Sequence, residues 1–310
     1  MNYWMTTHWP YRVDTDPSEP PAGVSVQSHH GRAITDLDIG DLVWIYESKT
    51  GKTVVYNLPE GGTKEIPCRP GRQGMIGLVA VTSTAYEPED SEELDYSDGS
   101  KYWWRWHFDT TPVNTAGFIP RAEVAEILGY STGYNFRGFG VMRSGLRQIT
   151  QDEHESLLRR FIESQADEDQ QRLQAGESSA HQGGRSGSGG GEGDEHRALK
   201  TRIASNPPSI LNEEGLTLVR VEFPFATEDR ADVVLRDRYG RFVVVEVEGD
   251  CGADEVVGPM QCMKYRSLLA YQMNRREHEV RAILAATGIH TRVRRSCREY
   301  KIETVEILYE

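Results

Sequence analysis

The sequence predicts an α+β protein of two domains: an N-terminal curved sheet or barrel with helices, then an α/β domain with a mixed sheet. Three observations carry this expectation. Residues 166–193, reading ADEDQQRLQAGESSAHQGGRSGSGGGEG, are almost free of large apolar side chains and divide the chain. Before them, short apolar runs are punctuated by Gly and Pro, as in strands of a small curved sheet. After them, the apolar pattern alternates between helix and strand periods, which is an α/β layout.

The expected elements follow in order. In residues 1–165, strands are expected at Tyr3–Met5, Asp41–Tyr46, Thr53–Tyr56, Met75–Thr82 and Tyr102–Phe108, with helices at Pro120–Leu128 and Thr150–Ser164. The second helix opens on Thr150-Gln-Asp-Glu153, a capping box that satisfies orphan backbone N–H groups. Leu157, Leu158, Phe161 and Ile162 give it one apolar stripe. Residues 166–193 cannot bury enough surface to offset their ordering entropy, so they are expected to form a flexible linker. In residues 194–310, helices are expected at Asp194–Ala204, Pro259–Asn274 and Arg292–Tyr300. Strands are expected at Leu216–Phe225, Ala231–Arg236, Arg241–Val247, Val280–Ala286 and Lys301–Leu308, with Asp237-Arg-Tyr-Gly240 as a hairpin turn.

Composition narrows the function classes. Of 310 residues, 37% are hydrophobic and none form an apolar run near the roughly 20 needed to span a bilayer. The first residues lack the basic and apolar regions of a signal peptide. Four scattered cysteines without a Cys-x-x-Cys pair argue against structural zinc and disulfides, and fit a reducing cytoplasm. A net charge of −13 speaks against coating nucleic acid through bulk charge, though local patches decide binding. The local patches are arginines, suited to phosphate contacts. Arg275, Arg292, Arg294 and Arg295 are the candidates for DNA-backbone contact, with a solvated helix face as the bland alternative.

Phosphodiester hydrolysis needs an activated water and neutralised phosphate charge, which hard divalent cations held by carboxylates supply. Asp232 falls near the start of one strand and Glu246 near the end of the next, across the hairpin. Glu248 shares a face with Glu246, because strand side chains alternate. Acids in such apolar contexts (Ala-Asp-Val-Val-Leu, Val-Val-Val-Glu-Val-Glu) are costly unless a cation or metal pairs them. The alternative is an edge strand whose acids face solvent.

Asp232, Glu246-x-Glu248 and Gln261-Cys-Met-Lys-Tyr265 resemble the PD-(D/E)xK nuclease superfamily, in particular its NucS-type branch. Gly193-Asp-Glu-His-Arg-Ala-Leu-Lys200, followed by Asn206-Pro, is similar to the first helix of that group. The resemblance implies that Asp232 and Glu246, with Glu248 beside them, hold Mg2+ or Mn2+. It further implies that Glu195 reaches the site from the first helix and that Gln261 and Tyr265 line it. Glu248 stands where the family usually has Lys, and Lys264, one turn after Gln261, is expected to supply that charge.

The N-terminal part is dense in aromatic residues, and flat rings stack on bases at roughly 1–3 kcal/mol per base. Trp4, Trp44, Tyr46, Trp103 and Trp106 are the candidate base contacts, with core packing the alternative for each. Met1-Asn-Tyr-Trp, Ile39-Gly-Asp-Leu-Val-Trp-Ile-Tyr-Glu-Ser48, Gly77-Leu-Val-Ala-Val and Leu146-Arg-Gln-Ile-Thr resemble the EVE domain of the PUA-like superfamily. Gly23-Val24-Ser25 lies near that family's pocket segment, which adds Ser25 to the base-binding candidates. Together the two resemblances imply a modification-dependent endonuclease. It would extrude a 5-methyl- or 5-hydroxymethylcytosine from double-stranded DNA, work as a homodimer on DNA, and involve no membrane. A non-catalytic reader on a degenerate nuclease fold and a mismatch- or structure-specific nuclease are the alternatives.

Overall fold

The curved N-terminal sheet grows around one strand that is covered on both faces. In this computed structural model the described residues are 1–15, 23–26, 36–89, 91–134, 136, 145–182, 193–227 and 229–308, with backbone alone for 175–182. They form two compact units, Met1–Gln165 and Ala166–Glu310.

The first unit contains β1 (Tyr3–His8), β2 (Gly23–Val26), β3 (Leu42–Glu47), β4 (Val54–Asn57), β5 (Thr63–Ile66), β6 (Gly74–Val81), β7 (Glu93–Tyr96), β8 (Lys101–Trp103), β9 (Trp106–Asn114) and β10 (Ile119–Pro120). Then come α1 (Arg121–Ile127), β11 (Arg147–Ile149) and the start of α2 (Gln151–Gln182). Among the described residues the main sheet is ordered β11-β1-β3-β6-β9-β2, with β10 against β6, and a second sheet is ordered β5-β4-β7-β8. β3 runs parallel to β1 and antiparallel to β6, and all six of its residues are buried. Trp4, Val24, Val43, Ile45, Val79 and Phe108 pack on one side of this sheet. The expected continuous strand Tyr102–Phe108 is instead broken at Trp104–Arg105 into β8 and β9, which belong to different sheets.

The capping box at the start of α2 is present: Thr150 N donates to Glu153 Oε2 at 2.7 Å, and Glu153 N to Thr150 Oγ1 at 3.2 Å. Leu157 and Phe161 are fully buried beneath it. The helix does not stop at Ser164. Residues 166–182, expected as flexible linker, continue α2 and belong to the second unit. Composition concealed the reason: Asp169 is buried at 1% exposure, taking Arg236 Nη2 at 2.9 Å and a close contact from Arg275, while Leu173 packs on the second unit's core. The stretch 183–192 of the expected linker lies outside the described residues. Breaking a buried ion pair from one side strands its partners. Asp169→Ala is therefore expected to cost about 3 kcal/mol, read as a lower urea midpoint with an unchanged slope.

The remainder of the second unit comprises α3 (Asp194–Ser205), α4 (Pro207–Ile210), β12 (Thr217–Pro224), β13 (Arg230–Arg236), β14 (Phe242–Cys251), α5 (Val257–Gln272), β15 (Val280–Ile289), α6 (Thr291–Glu299) and β16 (Glu303–Glu306). Its sheet is mixed, as the sequence predicts: β12-β13-β14 are antiparallel and β14-β15-β16 parallel. The β13–β14 turn closes with Gly240 N donating to Asp237 O at 2.9 Å, Gly240 taking φ +83° where other residues would be strained. Leu199 and Ile203 of α3 cover one face of the sheet against Val233, Val243, Val245 and Val247. Cys262 and Leu269 of α5 and Met273 just after it, with Val293 and Cys297 of α6, cover the other against Phe242, Val244 and Leu284. The α+β class is thus the one the sequence predicts. No helix among the described residues is long and apolar enough to cross a membrane, and all four cysteines are free.

Candidate active site

The site forms where two strands part. The β13–β14 ladder ends at Val233↔Val245. One residue further, Asp232 takes the place of a lost strand partner: its Oδ2 accepts the Val247 N–H at 2.9 Å. That fixes the carboxylate inside the fork at 8% exposure. From α3, His196 Nε2 comes within 3.1 Å of the same oxygen, and Lys200 Nζ lies 3.3 Å from Oδ1. Lys200 is itself buried at 5% exposure and also contacts Glu222 of β12 closely.

Glu246 and Glu248 project from β14 on the α5 face, two residues apart as strand geometry requires. Glu246 is buried, and its Oε2 has no hydrogen-bond partner. Burial first, then the charges of Asp232 and Glu248, push its carboxyl up to about 10, with Lys200 opposing. Glu248 is also raised, by burial and then by Glu255, with His196 opposing. The first turn of α5 rests directly on Glu248. A Cβ on Gly258 would meet Leu284 Cδ1 at 2.9 Å and Glu248 Cγ at 3.1 Å, so a larger residue there would have to push these side chains aside. Tyr265 lies deeper in α5, stacked on Phe225 at 5.6 Å and hydrogen-bonded to Gln261. Burial and the charge of Glu246 push its phenol up to about 12, which keeps it neutral.

The structure thus gathers Asp232, Glu246, Glu248, Gln261 and Tyr265, and it changes two expected residues. Lys264 is half exposed and pairs with Asp229 at 2.5 Å, its Nζ lying 5.8 Å from the Tyr265 ring centre. The ammonium in the site is that of Lys200. Glu195 is exposed, and its neighbour His196 is the residue touching Asp232. The sequence carries a signal for both, since His196, Leu199, Lys200 and Ile203 recur at helical spacing and form the inward face of α3.

Among the described residues no group of three or more His, Cys, Asp or Glu is arranged as a ready metal cage. Magnesium does not require one, because it keeps several waters and takes one or two carboxylates. Crowded acids with a buried oxygen that lacks a partner fit such a cation. Asp232 and Glu246 are the residues that would hold it.

In the first unit the expected base contacts divide. Trp4, Trp44 and Tyr46 are core residues at 6%, 0% and 2% exposure. Trp4 Nε1 donates to Asp41 at 2.9 Å and Trp44 Nε1 to His154 Nδ1 at 3.1 Å, so neither indole is offered to a ligand. Flat rings able to stack on a base made them candidates, but Trp44 and Tyr46 lie on β3, whose residues are all buried, and Trp4 is buried on β1. Trp103 and Trp106 are half-buried, and the Arg105 guanidinium lies 4.8 Å and 5.0 Å from their ring centres. Ser25 Oγ sits 2.9 Å from His107 Nδ1 on the paired strand. The expected backbone arginines divide likewise. Arg275 is buried on Asp169, and Arg294 pairs with Glu306 and reaches Thr304 at 3.3 Å. Arg292 and Arg295 are exposed.

No protein-family model matches the chain, and no curated protein does either. Among solved structures it is similar to a repair endonuclease from Pyrococcus abyssi, at 13% identity and a TM-score of 0.32, covering 84% of this chain and 86% of that one. EndoMS in a complex with double-stranded DNA is similar at 12% identity and a TM-score of 0.32, covering 93% and 99%. Human THYN1 in complex with 5-methylcytosine-containing DNA is similar over 50% of this chain and 94% of its own, at 15% identity and a TM-score of 0.30.

Proposed function

We propose that this protein is a divalent-metal-dependent DNA endonuclease whose first unit selects DNA carrying a modified cytosine. The observation that carries the catalytic half is the fork of β13 and β14. There Asp232 and Glu246 crowd together with one buried carboxylate oxygen unpartnered, and Lys200 stands against them. A bound Mg2+ or Mn2+ would supply a Lewis acid and a water of lowered pKa. The chain's own residues do the rest. Asp232 is oriented by the Val247 N–H and by His196. Glu246, with its unpartnered buried oxygen, would be the second carboxylate holding the metal. Lys200 presents a buried positive charge, which in a dry site offsets developing negative charge far better than in water. Gln261 and Tyr265 close the side toward α5.

The selective half rests on the sequence resemblance of the first unit and on the three partly exposed residues Ser25, Trp103 and Trp106. Extruding a base costs a few kcal/mol, which a pocket with room for a 5-substituent would offset for the modified base alone. Cutting both strands calls for two catalytic units, hence a homodimer on DNA.

The test is digestion of matched plasmids, unmodified or carrying 5-methyl- or 5-hydroxymethylcytosine, with Mg2+ or Mn2+, beside Asp232→Ala. We expect cleavage of modified plasmid only, lost in the variant. Equal cleavage of all plasmids would remove the modified-base reading and leave a nuclease with another selector. No cleavage with either metal would remove the nuclease reading and leave a DNA reader on a nuclease fold.

A further inference from the structure

Many arginines of the second unit are paired with acids among the described residues. Arg236 and Arg275 meet Asp169, Arg241 meets Asp237, Arg266 meets Glu277, Arg281 meets Glu213 and Glu303, and Arg294 meets Glu306. Helix α6 departs from this pattern. Arg292, Arg295 and Arg298 are exposed, and their guanidiniums have no hydrogen bond or ion pair among the described residues. In a chain with 48 acids and 35 bases, three such arginines on one short helix are conspicuous.

Their placement follows from helix geometry. Val293 and Cys297 are the buried residues of α6. At about 100° per residue, Arg295 lies opposite the midpoint of Val293 and Cys297, with Arg292 and Arg298 roughly 60° to either side. The three charges therefore form one outward stripe about 9 Å long, at 1.5 Å per residue. The helix is anchored on its inner side by those two core residues and by Arg294 on Glu306, so the stripe is presented by a fixed element.

The stripe also begins at the acid end of the sheet. β14 and β15 are parallel, with Glu248 opposite Ala286. His290, which caps α6, donates its backbone N–H to Cys251 O at 2.9 Å. Cys251 is three residues beyond Glu248, roughly 10 Å along the strand. DNA advances about 3.4 Å per nucleotide of one strand, so α6 starts within a few nucleotides of a phosphate held at the acids.

We propose that Arg292, Arg295 and Arg298 form a phosphate track that binds the DNA backbone next to the cleavage site, independently of metal and of base modification. This rests on DNA being the substrate and adds to the catalytic reading a docking surface. It takes in Arg298, and it leaves out the arginines already engaged, Arg275 and Arg294.

The experiment measures binding of the full chain to an unmodified 30-base-pair duplex in EDTA, across a series of NaCl concentrations. Each neutralised phosphate contributes a slope of about −0.9 in log K against log salt. The triple variant Arg292→Gln/Arg295→Gln/Arg298→Gln is expected to lose about 2–3 from the magnitude of the slope and to bind at least about tenfold more weakly at low salt. Arg238→Gln removes an exposed arginine stacked on Tyr239 at 4.8 Å, at the hairpin end of the sheet. It serves as the control and should keep the original slope. Unchanged slopes in the triple variant, equal losses in Arg238→Gln, or no duplex binding by the parent protein would each overturn the track. Because no metal is present, an altered slope would stand even if plasmid cleavage failed, so the two readings fail separately.

Discussion

Lys200→Met is expected to lower metal-dependent cleavage by about 10²- to 10³-fold, the cost of removing one preorganised positive or donor group from a desolvated site. Lys264→Ala is expected to leave the rate unchanged. The contrast follows from burial and partners. Lys200 is enclosed, lies 3.3 Å from Asp232 and touches Glu222. Lys264 is half exposed and engaged with Asp229. Single-turnover rates at saturating metal are the measurement, with Lys200→Arg retaining charge as a check on loss of fold. Equal rates for Lys200→Met and the parent protein would leave Glu248 without a compensating lysine and return weight to a non-catalytic protein.

The second large effect is on stability. Glu246 has its folded pKa raised to about 10, above the ordinary carboxylate value, chiefly by burial. Between those values the unfolded chain has released the proton and the folded chain retains it. Folding then takes up a proton, and stability falls as pH rises. Without metal, the protein is expected to be most stable near pH 5 and to lose on the order of 4 kcal/mol by pH 8 from this group. Glu246→Gln should flatten that decline and exceed the parent protein's stability at pH 8, read by urea denaturation across pH. Mg2+ should restore the parent protein at high pH, because a cation that binds only the folded state takes the proton's place. A parent protein whose stability is flat from pH 5 to 8 would contradict the burial of an acid at this position.

The acids were legible in the sequence because an apolar strand interrupted by Glu246 and Glu248 leaves few physical explanations. The cations facing them were not. His196 and Lys200 look like surface residues of a charged helix until Leu199 and Ile203 fix which side of α3 points inward. The N-terminal strands were mostly legible, but the use of their tryptophans was not. Alternation assigns a residue to a face and does not say whether that face is covered. The stretch 166–182 misled for a related reason: its averaged polarity hides the two residues, Asp169 and Leu173, that hold it to the core.

That helical stretch alters where the second unit begins. The Gly/Ser-rich residues join α2 to α3 inside one unit, so a fragment starting at Asp194 would lack the anion that Arg236 and Arg275 share. Grafting the second unit onto another domain would call for a junction before Ala166. The glycine tract, which looks like the natural place to splice, would be the site for an inserted reporter instead.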